Sequence, residues 1–103
     1  MVYYLYSSAE ESWFEFEFDE AKSRANAAKH GIDFIQAQGV WLDPDRWEVP
    51  ARREAEERFL MIGSITGRHW TVVVTYRSET IRIISGRRSR REEVRTHGHR
   101  GVR

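Results

Sequence analysis

The sequence predicts an α+β domain in which helices pack on a mostly antiparallel sheet, and three observations lead to this fold class. Aromatic and acidic side chains alternate from Phe14 to Phe18, which is the period of a strand with one buried face. Two helical segments with capping residues follow this strand, and three apolar runs separated by short turns come next. The predicted order of elements is therefore β-α-α-β-β-β-α.

The boundaries of the helices are predicted from capping residues. The first helix is expected to begin after Asp19, a good N-cap residue, and to end at Gly31. Asp33 is the expected N-cap of a second helix that runs to about Trp41. The stretch Leu42–Ala55 holds both prolines and many charges, so we expect an irregular surface connection there.

The second half of the chain is predicted to form an antiparallel meander, because only short turns separate its apolar runs. These runs are Arg58–Ile62, His69–Tyr76 and Thr80–Ser85. A last helix over Arg88–Arg95 is expected to close the domain. The aromatic residues expected to form the core rather than a stacking surface for bases are Trp13, Phe14, Phe16, Phe18, Phe34 and Trp41.

Length and composition indicate one domain, since 103 residues with 40% hydrophobic content support a single core. We assign this domain to residues 13–96, preceded by an extension (1–12) and followed by a basic tail (97–103). The extension is an extra strand, a flexible tail or an overlong start. The lack of cysteine excludes disulfides and thiolate sites. With no export signal or membrane span in the sequence, a cytoplasmic protein is expected.

Charge is unevenly distributed along the chain. From Arg82 onward there are eight arginines against two glutamates, which gives this part a charge of +6. The whole chain carries +1, so residues 1–81 sum to −5. On a helix, Arg87, Arg88, Arg91 and Arg95 would share an arc of about 100°, so a strongly basic helix face is expected. Such a face suggests a polyanionic partner such as RNA, although a solvated face braced by glutamates has the same pattern.

Several separated motifs occur in the order and spacing of one known family. They are 16–22 (FEFDEAK), Asn26, 29–34 (KHGIDF), Ala37, 57–59 (ERF), 62–63 (IG), 75–77 (TYR) and 82–88 (RIISGRR). With these motifs the chain resembles the BrnT toxins, ribonucleases of bacterial toxin–antitoxin modules, over roughly Phe14 to Arg95. The resemblance implies a fold like that of the RelE-type toxins and RNA cleavage without a metal or cofactor.

RNA cleavage requires a proton acceptor for the ribose 2′-hydroxyl, cations for the charged phosphorane and a proton donor for the leaving 5′-oxygen. Arginine suits the second task, because it stays charged and offers forked donors to phosphate oxygens. The residues that the resemblance assigns to catalysis are Lys22, His30, Thr75, Arg77 and Arg87. Those that we expect to bind RNA are Lys29, Arg58, Arg82, Arg88 and Arg91.

Structural roles are equally open for several of these residues. His30 fits a histidine at a helix end, and Lys22 and Lys29 fit the exposed face of a surface helix. Thr75 fits a β-branched residue in a strand. Their catalytic assignment therefore depends on the family resemblance.

The family resemblance also implies partners. We expect a cognate BrnA-like antitoxin that binds DNA, forms a hetero-oligomer with this chain and covers its basic surface, so that the chain touches DNA only indirectly. The alternative is a noncatalytic nucleic-acid-binding or antitoxin-binding domain of the same fold. Three departures from the family pattern support it: Gly86 and Ser89 where alanine is usual, and Thr96-His97 where a tyrosine is common.

Overall fold

The computed structural model describes residues 1–51 and 56–95, which form one six-stranded sheet flanked by helices. The strands are β1 (Val2–Ser7), β2 (Ser12–Glu17), β3 (Trp47–Ala51), β4 (Arg58–Ile65), β5 (Arg68–Arg77) and β6 (Thr80–Arg88). The helices are α1 (Glu20–His30), α2 (Phe34–Ala37) and the 3₁₀ helix Gln38–Leu42, and residues 91–95 form a further helical turn. In these described ranges no helix has the length and apolar character that a membrane span needs.

The sheet is mixed, with the strand order β1-β2-β6-β5-β4-β3. Four neighbouring pairs are antiparallel, and only β2 and β6 run parallel. The predicted α+β class and mostly antiparallel sheet are therefore confirmed. The predicted order β-α-α-β-β-β-α is incomplete, because it lacks β1 and β3.

The N-terminal extension contains an extra strand, which is one of the three alternatives that the sequence left open. β1 pairs with β2 from Val2 opposite Glu17 to Ser7 opposite Ser12. Tyr3 and Leu5 pack against the core, while Tyr4 lies on the other face, as strand alternation requires. The extension is therefore part of the sheet.

The prediction of an irregular connection over Leu42–Ala55 is wrong for β3. This strand pairs with β4 from Trp47 opposite Ile62 to Ala51 opposite Arg58. Pro50 is compatible with the strand because β3 lies at the edge of the sheet, where one side of the backbone needs no partner. Residues 52–55 lie outside the described part of the chain.

The predicted last helix over Arg88–Arg95 is wrong at its start. Arg87 and Arg88 belong to β6 and lie opposite Thr71 and Trp70 of β5. Successive strand residues point to opposite faces, so these two arginines do not share a basic helix face with residues 91–95. Thr96 and the tail 97–103 lie outside the described residues.

The predicted helix caps are confirmed. The Asp19 carboxylate accepts hydrogen bonds from the backbone N–H groups of Ala21 (2.8 Å) and Lys22 (3.1 Å). Gly31 ends α1 with φ = 81°, a left-handed conformation that favours glycine. Asp33 forms a capping box with Gln36 at α2, which is shorter than predicted because the chain continues as a 3₁₀ helix.

The core lies on one face of the sheet, beneath α1, α2 and the 3₁₀ helix. Of the six aromatics predicted to be buried, four are: Phe16, Phe18, Phe34 and Trp41. Phe14 is half-buried and packs against this cluster. The prediction is wrong for Trp13, which is 67% exposed. It lies on the same strand as Phe16 but points to the other face of the sheet.

Beyond the short stretch where β2 pairs with β6, helix α1 lies beside β6 in place of a strand. The parallel pairing of β2 with β6 covers only Glu15–Glu17 opposite Thr80–Arg82. Further along β6, the buried Asn26 Nδ2 donates to the carbonyl oxygens of Ile32 (2.8 Å) and Gly86 (2.9 Å). The Gly86 N–H donates to Asn26 Oδ1 (3.3 Å). One side-chain amide thus replaces a strand as the partner of the Gly86 backbone.

We predict that Asn26→Ala lowers the free energy of unfolding by about 3 kcal/mol, because it leaves buried backbone groups of Ile32 and Gly86 without partners. Urea denaturation of the purified variant measures this loss. Arg24→Ala, at an exposed position of the same helix, is the control and should change stability by less than about 0.5 kcal/mol. A loss for Asn26→Ala as small as that of the control would contradict the assignment.

Candidate nucleic-acid interface

The sheet has a second face, which we call the open face because it lies opposite α1, α2, the 3₁₀ helix and the core. Its end at Thr71 and Arg87 is covered by the helical turn at residues 91–95. Its members follow from the strand register, which places Thr75 beside Arg82, Arg77 beside Thr80 and Glu17 beside Arg82. Their chain neighbours Phe16, Val74 and Ile81 are buried on the core side. The open-face residues used below are Tyr4, Tyr6, Trp13, Glu15, Glu17, Arg58, Thr71, Thr75, Arg77, Thr80, Arg82 and Arg87.

A β-bulge brings Arg82 and Arg87 to the same face. Two residues separated by five positions point to opposite faces of a regular strand. In β6, Ile83 lies opposite Val74 and Ser85 lies opposite Val73, so Ile84 is an extra residue and the register shifts there. After the shift Arg87 shares the open face with Arg82, and Arg88 lies on the core side.

Arg77 and Arg82 converge on one carboxylate. Glu17 Oε2 lies 3.3 Å from Arg82 Nη1 and 3.7 Å from Arg77 Nε. Arg77 is the more accessible of the two, with 66% of its side chain exposed against 29% for Arg82. Two guanidinium groups thus surround one carboxylate on an accessible surface. We call Arg77, Arg82 and Glu17 the arginine cluster.

Thr75 and Arg58 extend this cluster toward β4. The Thr75 hydroxyl donates to the carbonyl oxygen of Glu57 (2.9 Å), so its proton is already engaged. Arg58 lies beside Thr75 in the sheet and forms an ion pair with Glu56 at 3.2 Å. A shallow groove of about 420 Å³ lies next to them; its lining includes Glu57, Thr75 and Arg77.

Arg87 is held in a dense network at the other end of the open face. Its guanidinium donates to both Glu93 carboxylate oxygens at 2.9 Å. The same carboxylate accepts the Thr71 hydroxyl (2.9 Å) and the Arg90 N–H (2.7 Å). Burial alone would raise the pKa of Glu93, but these donors outweigh burial and lower it to about 2. Glu93 therefore ties the helical turn at residues 91–95 to β5 and β6.

The cations of α1 flank β6 rather than lying on the open face itself. At 100° per residue, Lys22 and Lys29 lie on one side of Asn26, and the buried Ser23 lies on the other. The hydrogen bond from the backbone N–H of Lys22 lowers the pKa of the Asp19 carboxyl, and the charges of Lys22 and Arg82 lower it further. Lys22 and Arg82 thus act on the same carboxylate. His30 is half-buried at the end of α1, beside Gly31.

Arg88 and Arg91 are separated from the arginine cluster. Arg88 lies on the core side of the sheet, with its guanidinium carbon 5.4 Å from the centre of the Trp70 ring. This distance is typical of a cation–π contact. Arg91 is exposed on the helical turn that follows β6. Arg88 therefore does not share the surface formed by Arg77 and Arg82, whereas the turn that carries Arg91 lies at the Thr71–Arg87 end of the open face.

The structure thus brings together Arg58, Thr75, Arg77, Arg82 and, further along β6, Arg87. It separates Arg88 from them and leaves Lys22 and Lys29 at the flank. Glu17 belongs to the cluster but was not a sequence-predicted site residue. Its alternation with Phe16 and Phe18 placed it on the exposed face, which was the available signal. Within residues 1–51 and 56–95 no three His, Asp or Glu side chains are grouped to hold a metal ion.

The comparison with protein families identifies the chain. A family model described as "Ribonuclease toxin, BrnT, of type II toxin-antitoxin system" matches residues 18–93, which is most of the chain. The chain belongs to this family. The BrnT match contains α1, the whole meander and the arginines of the open face, and it begins after β1 and β2. The comparison with curated proteins finds no match.

We predict that the free energy of unfolding falls less steeply with decreasing pH in Glu93→Gln than in the wild type. The pKa of Glu93 in the folded chain, about 2, lies below its ordinary value of 4.5. Its ionised form therefore stabilises the fold above about pH 4.5, and this contribution is lost as the pH falls toward 2. Urea denaturation between pH 2.5 and pH 7 should show a loss on the order of 2 kcal/mol near neutrality and little difference at the acid end.

The control for this experiment is Glu79→Gln, at an exposed position in the β5–β6 turn. It should leave the shape of the pH profile unchanged, because an exposed carboxylate contributes little to stability. Parallel profiles for the wild type and Glu93→Gln would contradict the role of the Glu93 network.

Proposed function

We propose that this chain is an active endoribonuclease toxin that cleaves cellular RNA without a metal ion and binds it on the open face. The observation that carries the proposal is the convergence of Arg77 and Arg82 on Glu17 at an accessible surface. Membership in the BrnT family supports the reaction class, because the family is described as a ribonuclease toxin.

In the proposed reaction, Arg77 and Arg82 bind the scissile phosphate. Their donors stabilise the negative charge that builds on the phosphorane when the ribose 2′-oxygen attacks phosphorus. This attack forms a 2′,3′-cyclic phosphate and releases the 5′-oxygen of the next nucleotide. The bound phosphate oxygens replace part of the contact that both guanidinium groups make with Glu17.

Glu17 is our proposed general base. A carboxylate beside the phosphate-binding arginines is close to the adjacent 2′-hydroxyl and can accept its proton. Lys22 is our proposed general acid for the 5′-oxygen, because it lies in the first turn of α1, directly after the end of β2 that carries Glu17. We assign His30 to the flank of the site rather than to its centre, since it lies at the far end of α1.

The remaining sequence-predicted residues have supporting roles in this proposal. Thr75 lies beside Arg82, and its hydroxyl donates to the carbonyl oxygen of Glu57, just before the start of β4. Arg58 attracts a flanking phosphate from the β4 side of the open face, and Arg91 and Lys29 add positive charge at its margins. Arg87 holds the helical turn at residues 91–95 through Glu93. Arg88 stabilises the core side through Trp70 and is not part of the RNA contact.

We further propose that a BrnA-like, DNA-binding antitoxin covers the open face in a cytoplasmic hetero-oligomer. An antitoxin belongs to every type II module, and such a module is what the family description states. A partner that pairs its acidic side chains with Arg77 and Arg82 would exclude RNA by direct competition. The chain would then contact DNA only through that partner. We also propose that the fold is of the RelE type.

One observation favours the alternative, a noncatalytic binding domain of the same fold. Arg87 directs both of its forked donors to Glu93, so its capacity to bind a phosphate is already used. Gly86 does not favour this alternative, since a Cβ at that position would meet Ile32, Asn26 and Ala37 at 3.5 to 3.8 Å, which is ordinary contact. Glycine in place of alanine therefore leaves the site geometry intact.

We predict that Arg77→Ala lowers the rate of RNA cleavage by about 100-fold, because it removes a donor to the developing phosphorane charge. The assay follows cleavage of a single-stranded RNA by the purified chain in the presence of EDTA. The matched control, Arg24→Ala, removes one arginine from the outer surface of α1 and should cleave at the wild-type rate. Glu17→Gln in the same assay should cleave slowly but retain RNA affinity.

Three outcomes would contradict different parts of this proposal. A folded wild-type chain that binds RNA but does not cleave it, with or without EDTA, would support the noncatalytic alternative. Equal rates for Arg77→Ala and Arg24→Ala would place the reaction away from the open face. Cleavage that EDTA abolishes would overturn metal independence alone.

A further inference from the structure

Three exposed aromatic side chains lie together at one corner of the open face. Trp13 is 67% exposed, Tyr4 is 64% exposed and Tyr6 is 45% exposed. Trp13 lies opposite Tyr6 in the β1–β2 pair, and their ring centres are 4.9 Å apart. Exposing this much aromatic area costs free energy, so such a cluster usually marks a contact surface. We call these three residues the aromatic corner.

The aromatic corner adjoins the arginine cluster. The strand register forms a row across the open face from Tyr4 through Glu15 and Thr80 to Arg77. Trp13 is two residues from Glu15, so standard strand spacing puts the Cα atoms of Trp13 and Arg77 about 12 Å apart. A nucleotide whose base contacts Trp13 therefore has its backbone phosphates within reach of the long Arg77 side chain.

The acidic side chains between the two clusters are engaged. The Thr80 hydroxyl donates to Glu15 at 2.5 Å, and Glu17 lies between Arg77 and Arg82. Arg58 pairs with Glu56, so Arg77 and Arg82 share Glu17 as their carboxylate and leave one positive charge in excess. This charge beside the aromatic corner favours an anionic ligand, and exposed aromatic rings favour one that also presents flat bases.

We propose that Tyr4, Tyr6 and Trp13 form a stacking platform for unpaired RNA bases beside the phosphate-binding arginines. This inference rests on the proposed function and adds a substrate class to it, namely single-stranded RNA. Aromatic rings bind bases of any sequence through their flat faces, whereas bases within a duplex are not available for such stacking. All three residues precede the segment that matches the BrnT family, residues 18–93.

The test uses Trp13 as the reporter and an oligonucleotide that cannot be cleaved. A single-stranded 2′-O-methyl RNA is titrated into the full chain, and tryptophan fluorescence and affinity are recorded. We expect quenching in the wild type, because Trp41 and Trp70 are buried and Trp13 is the most exposed tryptophan in the described residues. Trp13→Ala should lose the quenching and bind about 5- to 100-fold more weakly.

Two further variants keep the result interpretable. Tyr4→Ala removes a second member of the platform and should also weaken binding, so the test survives if Trp13→Ala fails to fold. Leu42→Ala removes an exposed apolar side chain, 48% exposed, from the 3₁₀ helix and should bind like the wild type. A double-stranded RNA of the same length should quench Trp13 far less than the single strand.

Wild-type RNA affinity in both Trp13→Ala and Tyr4→Ala would overturn the proposal that these residues bind RNA bases, even if the chain cleaves RNA normally. A loss of antitoxin binding or of self-association in these variants, with RNA affinity unchanged, would instead assign the aromatic corner to a protein contact. If the chain binds RNA through Trp13 but never cleaves it, the platform stands and the proposed activity fails.

Discussion

The amide of Asn26 supports the arrangement on which the site depends. β6 is a central strand, but β2 pairs with only its first part. Among the described residues, no strand pairs with β6 on that side beyond Arg82. Asn26 supplies both a donor and an acceptor to Gly86, and it also binds the carbonyl oxygen of Ile32 at the start of the next segment. A buried polar group without a partner is costly, so these hydrogen bonds fix α1 against the sheet. They thereby hold α1 on the core side of the sheet.

Because α1, α2 and the 3₁₀ helix lie on the core side, the open face stays accessible around Arg77 and Arg82, and the helical turn at residues 91–95 covers its Thr71–Arg87 end. The bulge at Ile84 then decides which arginines reach that face, because a shift of one residue exchanges the two sides of a strand. Arg77 and Arg82 face a carboxylate with room for a ligand, whereas Arg87 is committed to Glu93. Arginines of one face are thus accessible to a ligand in one place and committed to a structural ion pair in another. The difference lies in their immediate carboxylate partners, which the residue type alone does not reveal.

Local patterns predicted the helix ends and the core strands well, because Asp19, Gly31 and Asp33 act through contacts with near neighbours. Trp13 is an aromatic residue and for that reason was expected in the core, although the alternation of β2 places it with Glu15 and Glu17 on the open face. It also could not reveal the bulge in β6, which depends on pairing with β5. Of the candidate site, residue types and strand neighbours could be predicted, such as Thr75 beside Arg82. The contacts of Glu17 with Arg77 and Arg82 could not, because they join distant parts of the chain.

The parallel pairing of β2 with β6 also governs when the arginine cluster can exist. Glu17 lies near the start of the chain and Arg82 near its end, 65 residues apart. A ribosome synthesises the N-terminal strands long before β6 emerges, and non-local pairings of this kind form late and slowly during folding. A partly synthesised chain therefore carries Glu17 without its arginines. The cluster is completed only after β6 has left the exit tunnel, so its assembly waits for the synthesis of the 65 residues from Glu17 to Arg82.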